Sequence, residues 1–276
     1  MMRKSLFGIL AAVVAGIGMT GCTMGERKDA EALYARSQAE IENGNYAAAI
    51  EVLDTLNARY PGQVAVRRNA LGLRARAMEG LAMDSIGLAD AELAAATIAE
   101  DSLRALFRHV PPPAPGMEGY WLPTGTSERA MASTGIQARV NDDGYLYMVA
   151  ALNGRRIGLR AIELKAGSQT VRSGAISAAR LVTVGSTETA SFNQEEVAEF
   201  GPWLAEHPSA NKIVFVGTST TTQATLTPAM RAEIELCHNF AMAVQAKRMA
   251  TIRREKYERM LRAARDQMAN HTQPEQ

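Results

Sequence analysis

Apolar residues recur with a helical period near both ends of the chain. From residue 64 to residue 110 they lie mostly three or four positions apart with no proline between them, which predicts a long helical arm over residues 64–110. Gly80 and Gly87 lie inside this stretch and predict a bend or a break there. The same period runs over residues 228–270, after a threonine and a proline that form a helix start signal. Because a narrow apolar stripe needs a partner, we expect these two long helices to pair antiparallel.

The segment between the long helices, residues 116–227, has the pattern of a β-rich domain that contains one helix. Apolar and polar residues alternate there, and turn signals separate three predicted pairs of strands, over residues 136–140 and 145–152, 160–165 and 170–173, and 212–217 and 221–226. Asn193 and Glu196 match a capping box, which predicts a helix that ends near Glu206. Proline-rich residues 111–116 connect this domain to the preceding helix. The predicted fold class is therefore α+β, with the β-rich domain inserted between the two long helices.

Residues 29–63 have the pattern of a hairpin of two shorter helices. A glycine and an asparagine separate the two helices, and Tyr60-Pro61-Gly62 ends the second one. The positions that match the turn, packing residues and terminal proline of a tetratricopeptide repeat are Gly44, Asn45, Tyr46, Ala49, Leu53, Leu56 and Pro61. This stretch therefore resembles one such repeat, although Arg36 and Glu40 depart from its pattern. Its end also resembles the repeats of the lipoprotein in the outer-membrane β-barrel assembly machinery.

The N-terminus has the features of an export signal. Arg3 and Lys4 form a basic start, and the apolar run over residues 6–19 follows them. This run is shorter than the roughly 20 apolar residues that a membrane-spanning helix needs. It therefore predicts a cleavable signal, and a permanent span is not expected.

The end of the signal, Met19-Thr20-Gly21-Cys22, resembles the bacterial lipobox. The resemblance implies that residues 1–21 are removed and that Cys22 carries fatty-acyl chains on its sulfur and amine, followed by a tether over residues 22–28. Several acyl chains on one cysteine would hold the chain firmly to a membrane. Thr23 replaces the aspartate that resembles an inner-membrane retention signal, which favours the periplasmic face of the outer membrane. The alternative is an ordinary secretory signal that ends by chance in a cysteine.

Composition and motifs give no support to several function classes. The chain carries 30 basic and 29 acidic residues, so no charge excess favours nucleic acid. If Cys22 is acylated, Cys237 has no partner for a disulfide in the chain, and a small buried hydrophobe is favoured over a reactive thiol. The sequence contains no phosphate-binding loop, His-Glu-x-x-His, paired Cys-x-x-Cys or Gly-x-Ser-x-Gly motif. We therefore expect no enzyme activity, no metal and no cofactor.

Two binding functions are compatible with this organisation. In the first, the chain is a cell-envelope adaptor that binds another envelope protein, and the repeat resemblance implies that the first helix of the hairpin uses Glu31, Tyr34, Gln38 and Glu42. In the second, the β-rich domain binds a glycan or a peptide. Aromatic residues that would line such a site, or instead pack a core, are Tyr120, Trp121, Tyr145, Tyr147 and Trp203. The long helices are also compatible with a self-associating coiled coil, and the pattern leaves the oligomeric state open.

Overall fold

The computed structural model describes residues 20–112, 114–127 and 133–272, with side chains over 24–112, 114–127 and 133–271. The helices are α1 (Thr20–Glu42), α2 (Tyr46–Arg59), α3 (Val64–Arg104), α4 (Gln194–Val197), α5 (Phe200–Glu206) and α6 (Pro228–Thr272). The strands are β1 (Phe107–Val110), β2 (Tyr120–Pro123), β3 (Gly135–Asn141), β4 (Leu146–Leu152), β5 (Ala161–Ala166), β6 (Gln169–Arg172), β7 (Leu181–Val184), β8 (Thr187–Phe192), β9 (Lys212–Val216) and β10 (Thr221–Thr225). The predicted α+β class is confirmed, and all ten strands lie in sequence between the two long helices α3 and α6.

Contacts divide the chain into two compact units. The helical unit contains α1, α2, the part of α3 up to Ile86 and the part of α6 from Glu255. The β-rich unit runs from Gly87 to Arg254 and therefore contains the remaining parts of both long helices.

The helical unit is built on the predicted hairpin. Helix α2 buries Ala49, Val52, Leu53 and Leu56, which are spaced three or four residues apart on one face. Leu53 and Leu56 form a small core with Ala70 and Leu73 of α3, and Leu33, Tyr34 and Ile41 of α1 pack against it. Burial of this apolar face supplies the main stabilisation, because short helices are marginal by themselves in water. The predicted pair of N-terminal helices is confirmed.

Helix α1 starts earlier than the sequence pattern predicts. The expected tether, residues 22–28, is helical, since α1 begins at Thr20. Apolar periodicity begins only near residue 29, but Glu26, Arg27 and Lys28 are good helix formers that need no buried face. Arg27 also forms an ion pair with Glu31 one turn later, with Nε 2.8 Å from Oε1. The export signal over residues 1–19 lies outside the described residues.

Helix α3 is continuous through the glycines that predicted a bend or a break. Gly80 lies under the ring of Tyr46 from α2, and a Cβ atom at Gly80 would overlap that ring. The glycine therefore permits close packing of α2 on α3 at that point. Gly87 has open space around it, and its cost in helix propensity is too small to interrupt a helix of 41 residues.

The predicted end of this helix, Val110, is wrong. Helix α3 ends at Arg104, and residues 107–110 form β1, which pairs antiparallel with β2 from Phe107↔Pro123 to Val110↔Tyr120. The ring of Phe107 stacks on Phe240 of α6, with centroids 4.3 Å apart. Four residues with apolar ends suit either a last helical turn or a short strand, so pairing with β2 and packing on Phe240 decide the outcome.

The ten strands form two antiparallel sheets. One has the order β1-β2-β3-β4-β8-β7 and the other has the order β10-β9-β5-β6. The three predicted strand pairs are present as β3–β4, β5–β6 and β9–β10. The capping box of Asn193 and Glu196 is also present and begins α4, but the single helix predicted up to Glu206 is two short helices, α4 and α5. Strands β1, β2, β7 and β8 were not predicted, since their apolar residues alternate weakly over four to six residues.

The core of the β-rich unit is formed by residues of the two sheets, of the short helices α4 and α5 and of the first part of α6. Its large, fully buried side chains include Phe192, Phe200, Phe215 and Phe240. Cys237 of α6 belongs to this core and is fully buried, as its helical neighbours predicted.

The two long helices pair antiparallel in both units, as predicted. In the β-rich unit Lys247 pairs with Glu100 at 3.0 Å, Arg254 pairs with Asp90 at 2.6 Å, and Arg253 pairs with Glu92. In the helical unit Arg265 pairs with Glu79 at 2.9 Å. Residue numbers fall on α3 as they rise on α6, which is the signature of an antiparallel pair.

Charge segregation explains this register. Residues 77–103 of α3 carry acidic charges and no lysine or arginine, whereas residues 236–254 of α6 carry basic charges and no aspartate or glutamate. Opposite charges therefore meet between these two segments, at Glu100, Glu92 and Asp90. Each exposed pair contributes little by itself, but a shifted or parallel register would lose several of these pairs together.

Candidate ligand groove in the β-rich unit

A groove of about 330 Å³ opens at one end of the six-stranded sheet. Strand β4 and the turn that precedes it form one side, and the junction of β8 with α4 forms the other. Its lining comes from five separate segments of the unit and consists of Glu118, Gly119, Asn141, Tyr145, Leu146, Tyr147, Arg180, Ser191, Phe192, Asn193 and Gln194. A concave surface with an apolar floor and a few fixed polar groups is the usual form of a ligand site.

Two tyrosines supply the aromatic surface of the groove. Tyr147 lies in β4, Tyr145 directly precedes that strand, and both line the groove. Tyr145 is 44% exposed, whereas Tyr147 is half-buried against Tyr120, with ring centroids 6.4 Å apart. Burial raises the pKa of the Tyr147 phenol, although the Arg139 guanidinium opposes the shift. Tyr147 therefore stays protonated at neutral pH.

Hydrogen bonds to the framework fix the amide side chains of the groove. Asn141 accepts from the Tyr145 backbone N–H at 2.8 Å and donates to Glu118 at 3.0 Å. Gln194 accepts from the Leu146 backbone N–H at 3.0 Å. These bonds hold the amides in one orientation before any ligand arrives, which lowers the entropic cost of binding.

The two charges at the rim of the groove have different partners. Arg180 forms an ion pair with Glu196 at 2.6 Å and also donates to the Ser191 carbonyl oxygen. The Glu118 carboxylate accepts a hydrogen bond from the neutral Asn141 amide, which leaves its charge in place. The groove therefore offers a ligand aromatic faces, hydroxyls, amides and one carboxylate.

The structure divides the aromatic residues that the sequence singled out. Tyr145 and Tyr147 line the groove, and Tyr120 supports Tyr147 from beside it. Trp121 packs edge-on against Phe240 at 6.0 Å, and Trp203 stacks on His207 at 4.3 Å. Both tryptophans pack against the core outside the groove lining, so the core-packing interpretation holds for them.

The polar residues of the groove were missed by sequence reasoning. Arg180, Ser191 and Gln194 are more than 30 residues from Tyr145, and the pairing of β4 with β8 brings the two segments together. The capping box at Asn193 and the turn at Asn141 were visible in the sequence, but neither motif indicates a ligand.

The residues predicted to bind a partner lie on α1. Glu31, Gln38 and Glu42 are exposed, while Tyr34 is partly buried and packs against the small core of the helical unit. Glu31 is engaged in its ion pair with Arg27. Three of the four residues therefore share an accessible surface, and Tyr34 has a packing role. Cys22 falls within α1, but its side chain lies outside the described part.

Other candidates for chemistry are buried or dispersed. Burial raises the pKa of the Cys237 thiol, with a further contribution from the Glu233 charge, so this cysteine stays protonated. Among the residues that the structure describes, no group of three or more His, Cys, Asp or Glu side chains could hold a metal ion. Within the same residues, no helix is both long enough and apolar enough to cross a bilayer.

Comparison of the chain with models of protein families, with curated proteins and with solved structures gave no match. The groove is therefore interpreted from its own chemistry.

Proposed function

We propose that this chain is a non-enzymatic, lipid-anchored binding protein of the cell envelope whose β-rich unit holds a glycan. The observation that supports this proposal most is the groove, in which an exposed tyrosine lies beside amides that are already fixed by backbone hydrogen bonds. An aromatic face packs against the apolar face of a sugar ring, and oriented amides pair with its hydroxyls.

The groove favours a glycan over an extended peptide. A peptide bound as an added strand needs a sheet edge with free backbone groups. Strand β4, which carries Tyr147, lies between β3 and β8, and its backbone pairs with both. Recognition in the groove therefore relies on side chains, and its amides, phenol groups and Glu118 carboxylate suit the hydroxyl groups of a glycan.

The sequence supports the proposed address. Residues 1–22 resemble a lipoprotein signal that ends at the lipobox cysteine, and Thr23 favours the periplasmic face of the outer membrane. A chain attached there by acyl chains would meet cell-wall and surface glycans.

Calorimetry on the full-length protein in mild detergent tests the groove, with cell-wall saccharides and short peptides as separate ligand series. We expect at least one saccharide to bind, and Tyr145→Ala to weaken that binding about tenfold, which corresponds to about 1.4 kcal/mol. Tyr257→Ala, in the helical unit, is the matched control and should bind as the wild type does. Saccharides that give no heat, or equal affinity in the two variants, would contradict the proposal; binding of peptides alone would indicate the alternative ligand.

Protein binding through α1 is a second candidate, favoured by the exposed surface of Glu31, Gln38 and Glu42. Crosslinking in intact cells tests it, with Gln38→Arg/Glu42→Lys as the variant and Arg36→Glu, exposed on another side of the same helix, as the control. The adaptor function predicts a crosslinked envelope protein that the double variant loses and the control keeps. An unchanged set of crosslinked proteins would remove this candidate.

A further inference from the structure

One side of the α3–α6 pair in the β-rich unit is apolar and exposed. On α3, positions 88, 92, 95 and 99 share one side of the helix, and on α6 positions 242, 246, 249 and 253 do the same. The arm surface, as we name it, consists of Leu88, Ala95, Ala99, Met242, Ala246 and Met249. Leu88 is 69% exposed, Met242 is 52% exposed and Met249 is 54% exposed.

The arm surface contains a hollow of about 480 Å³ between the two helices. Its floor and walls are mainly alanines, and Met249 projects beside them. Glu92 of α3 and Arg253 of α6 form an ion pair at one end of the hollow. Nothing in the described part of the chain covers this surface.

The opposite side of the same helix pair carries both charged and apolar residues. By helical phase, Asp101 and Ala94 of α3 and Arg248 of α6 lie there, and all three are exposed. Ile98 and Ile252, one turn along from Ala94 and Arg248, are exposed as well, so the arm surface is distinguished by its hollow and by the ion pair at its end. A contiguous exposed apolar surface of this kind usually marks an interface.

We propose that the arm surface binds a second copy of this chain and forms a four-helix bundle in which α3 of each copy lies on α6 of the other. The same surface carries both the alanine hollow and the projecting Leu88, Met242 and Met249, so it has the parts of a self-complementary contact. A two-fold axis parallel to the helices keeps each residue at its own level along the bundle. Met249 and Ala95 line the same hollow, so Met249 of one copy fits against Ala95 of the other.

Charge selects this arrangement. The Glu92–Arg253 ion pair places these residues at one level, and the two-fold axis then brings Glu92 of one copy to Arg253 of the other. The four side chains alternate in sign, in line with the acidic character of α3 and the basic character of α6 over residues 77–103 and 236–254. The other two-fold arrangement would place α3 on α3 and α6 on α6, where like charges repel.

Sedimentation of the full-length protein in mild detergent tests the association. We expect about twice the monomer mass of 29.7 kDa before correction for bound detergent and the processed signal. Ala99→Glu should return the protein to the monomer, because it buries a charge in the hollow. Ala94→Glu, on the opposite side of α3, is the matched control and should stay dimeric. A monomeric wild type at micromolar concentration, or a dimer that Ala99→Glu leaves intact, would overturn the proposal.

A mixed disulfide tests the arrangement. Two differently tagged copies, one with Ala95→Cys and one with Met249→Cys, should form a crosslink that carries both tags under mild oxidation. A mixture of Ala94→Cys and Arg248→Cys copies is the control and should give none. A crosslink between two Ala95→Cys copies instead would indicate α3 on α3, and reactive thiols without any crosslink would also exclude the arrangement. Neither experiment depends on a ligand or on the cellular address.

Discussion

Three glutamates lie inside the β-rich unit, and each is held by a different set of partners. Glu188 accepts from the backbone N–H groups of three consecutive residues. Glu100 lies between Arg104 and Lys247; burial favours its neutral form, but the hydrogen bonds and charges of these two residues outweigh burial and lower its pKa. Glu233 has weaker compensation, because its main partners are one backbone N–H and one hydroxyl. Hydrogen bonds and charges therefore offset the cost of burying the carboxylate for Glu188 and Glu100, and only partly for Glu233.

Removal of the Glu188 side chain should strongly destabilise the β-rich unit. Its carboxylate is 3% exposed and accepts from Ile157, Gly158 and Leu159 at 3.0, 2.9 and 3.2 Å. Glu188→Ala leaves these buried donors unpaired, and we expect a loss of about 3 kcal/mol or more in the free energy of unfolding. Urea unfolding measures the loss, with exposed Glu206→Ala as the control. Equal stability of the two variants would show that the loop over residues 157–159 does not depend on the carboxylate.

Glu233 should make stability depend on pH. Burial raises the pKa of its carboxyl from about 4.5 to about 7, although the N–H of Ala138, the hydroxyl of Thr126 and the charge of Arg139 oppose the shift. The folded state therefore keeps the proton to a higher pH than the unfolded chain. The contribution of Glu233 to the free energy of unfolding is fully present below pH 4.5. As the pH rises to 7, up to about 3 kcal/mol of it is lost.

Substitution of Glu233 by glutamine isolates this contribution. Glutamine cannot ionise and still accepts from the Ala138 N–H. The stability of Glu233→Gln relative to the wild type should therefore increase as the pH rises from 5 to 7.5. Thermal unfolding at the two pH values measures the difference. A constant difference between the two proteins would show that the carboxyl does not titrate in this range.

At the scale of the elements, two glycines of α3 have opposite roles. Gly80 allows the Tyr46 ring of α2 to pack directly on the helix backbone, whereas Gly87 faces open space. Each costs helix propensity relative to alanine. Only at Gly80 does a contact from another element compensate for that cost.

Alanine at each glycine separates these roles. Gly87→Ala should raise the free energy of unfolding by up to about 1 kcal/mol, because it adds helix propensity without a new contact. Gly80→Ala should be less stable than Gly87→Ala by at least about 1 kcal/mol, since its Cβ displaces the Tyr46 ring. Thermal unfolding followed by circular dichroism compares them. Once Tyr46→Ala is added to both variants, their free energies of unfolding should become equal. A difference that persists would show that the Tyr46 ring is not its cause.

Elements with a strong local pattern were predicted, and those whose identity depends on distant partners were not. The three hairpins, the capping box at Asn193 and both long helices follow from residues close together in sequence. Strands β7 and β8 and the groove residue Arg180 have no such signal, because β8 is defined by its pairing with β4. The end of α3 belongs to the same class, since Phe107 leaves the helical pattern to pack on Phe240.

At the scale of the whole chain, segregated charge joins segments that are far apart in sequence. Pairing α3 with α6 closes a loop that contains the entire β-rich domain, and loop closure of this length has a large entropic cost. Buried apolar residues on both helices offset that cost, and the ion pairs at Glu100, Glu92 and Asp90 select the register. The inserted β-rich domain therefore begins and ends at neighbouring points of the α3–α6 pair.

The proposed membrane anchor gives a prediction for the full chain in a bacterial host. With a clickable fatty acid in the medium, the wild type should be labelled and found in the membrane fraction, with residues 1–21 removed. Cys22→Ser should lose both the label and the membrane association, because the proposed anchor is the acyl chains on Cys22. Cys237→Ala is the control and should keep both. An unlabelled wild type, or label on Cys22→Ser, would contradict lipid attachment at position 22.

Local sequence determined both long helices, the three hairpins, the turns, the capping box and the charge separation between α3 and α6, since each depends on residues within a few turns or strands of one another. The tertiary structure decided where α3 ends, why Gly80 is tolerated, which tyrosines meet in the groove and which tryptophans enter the core. These outcomes depend on contacts between residues far apart in the chain. A local pattern cannot encode them, because the same short apolar segment is stable as helix or strand until a partner buries it.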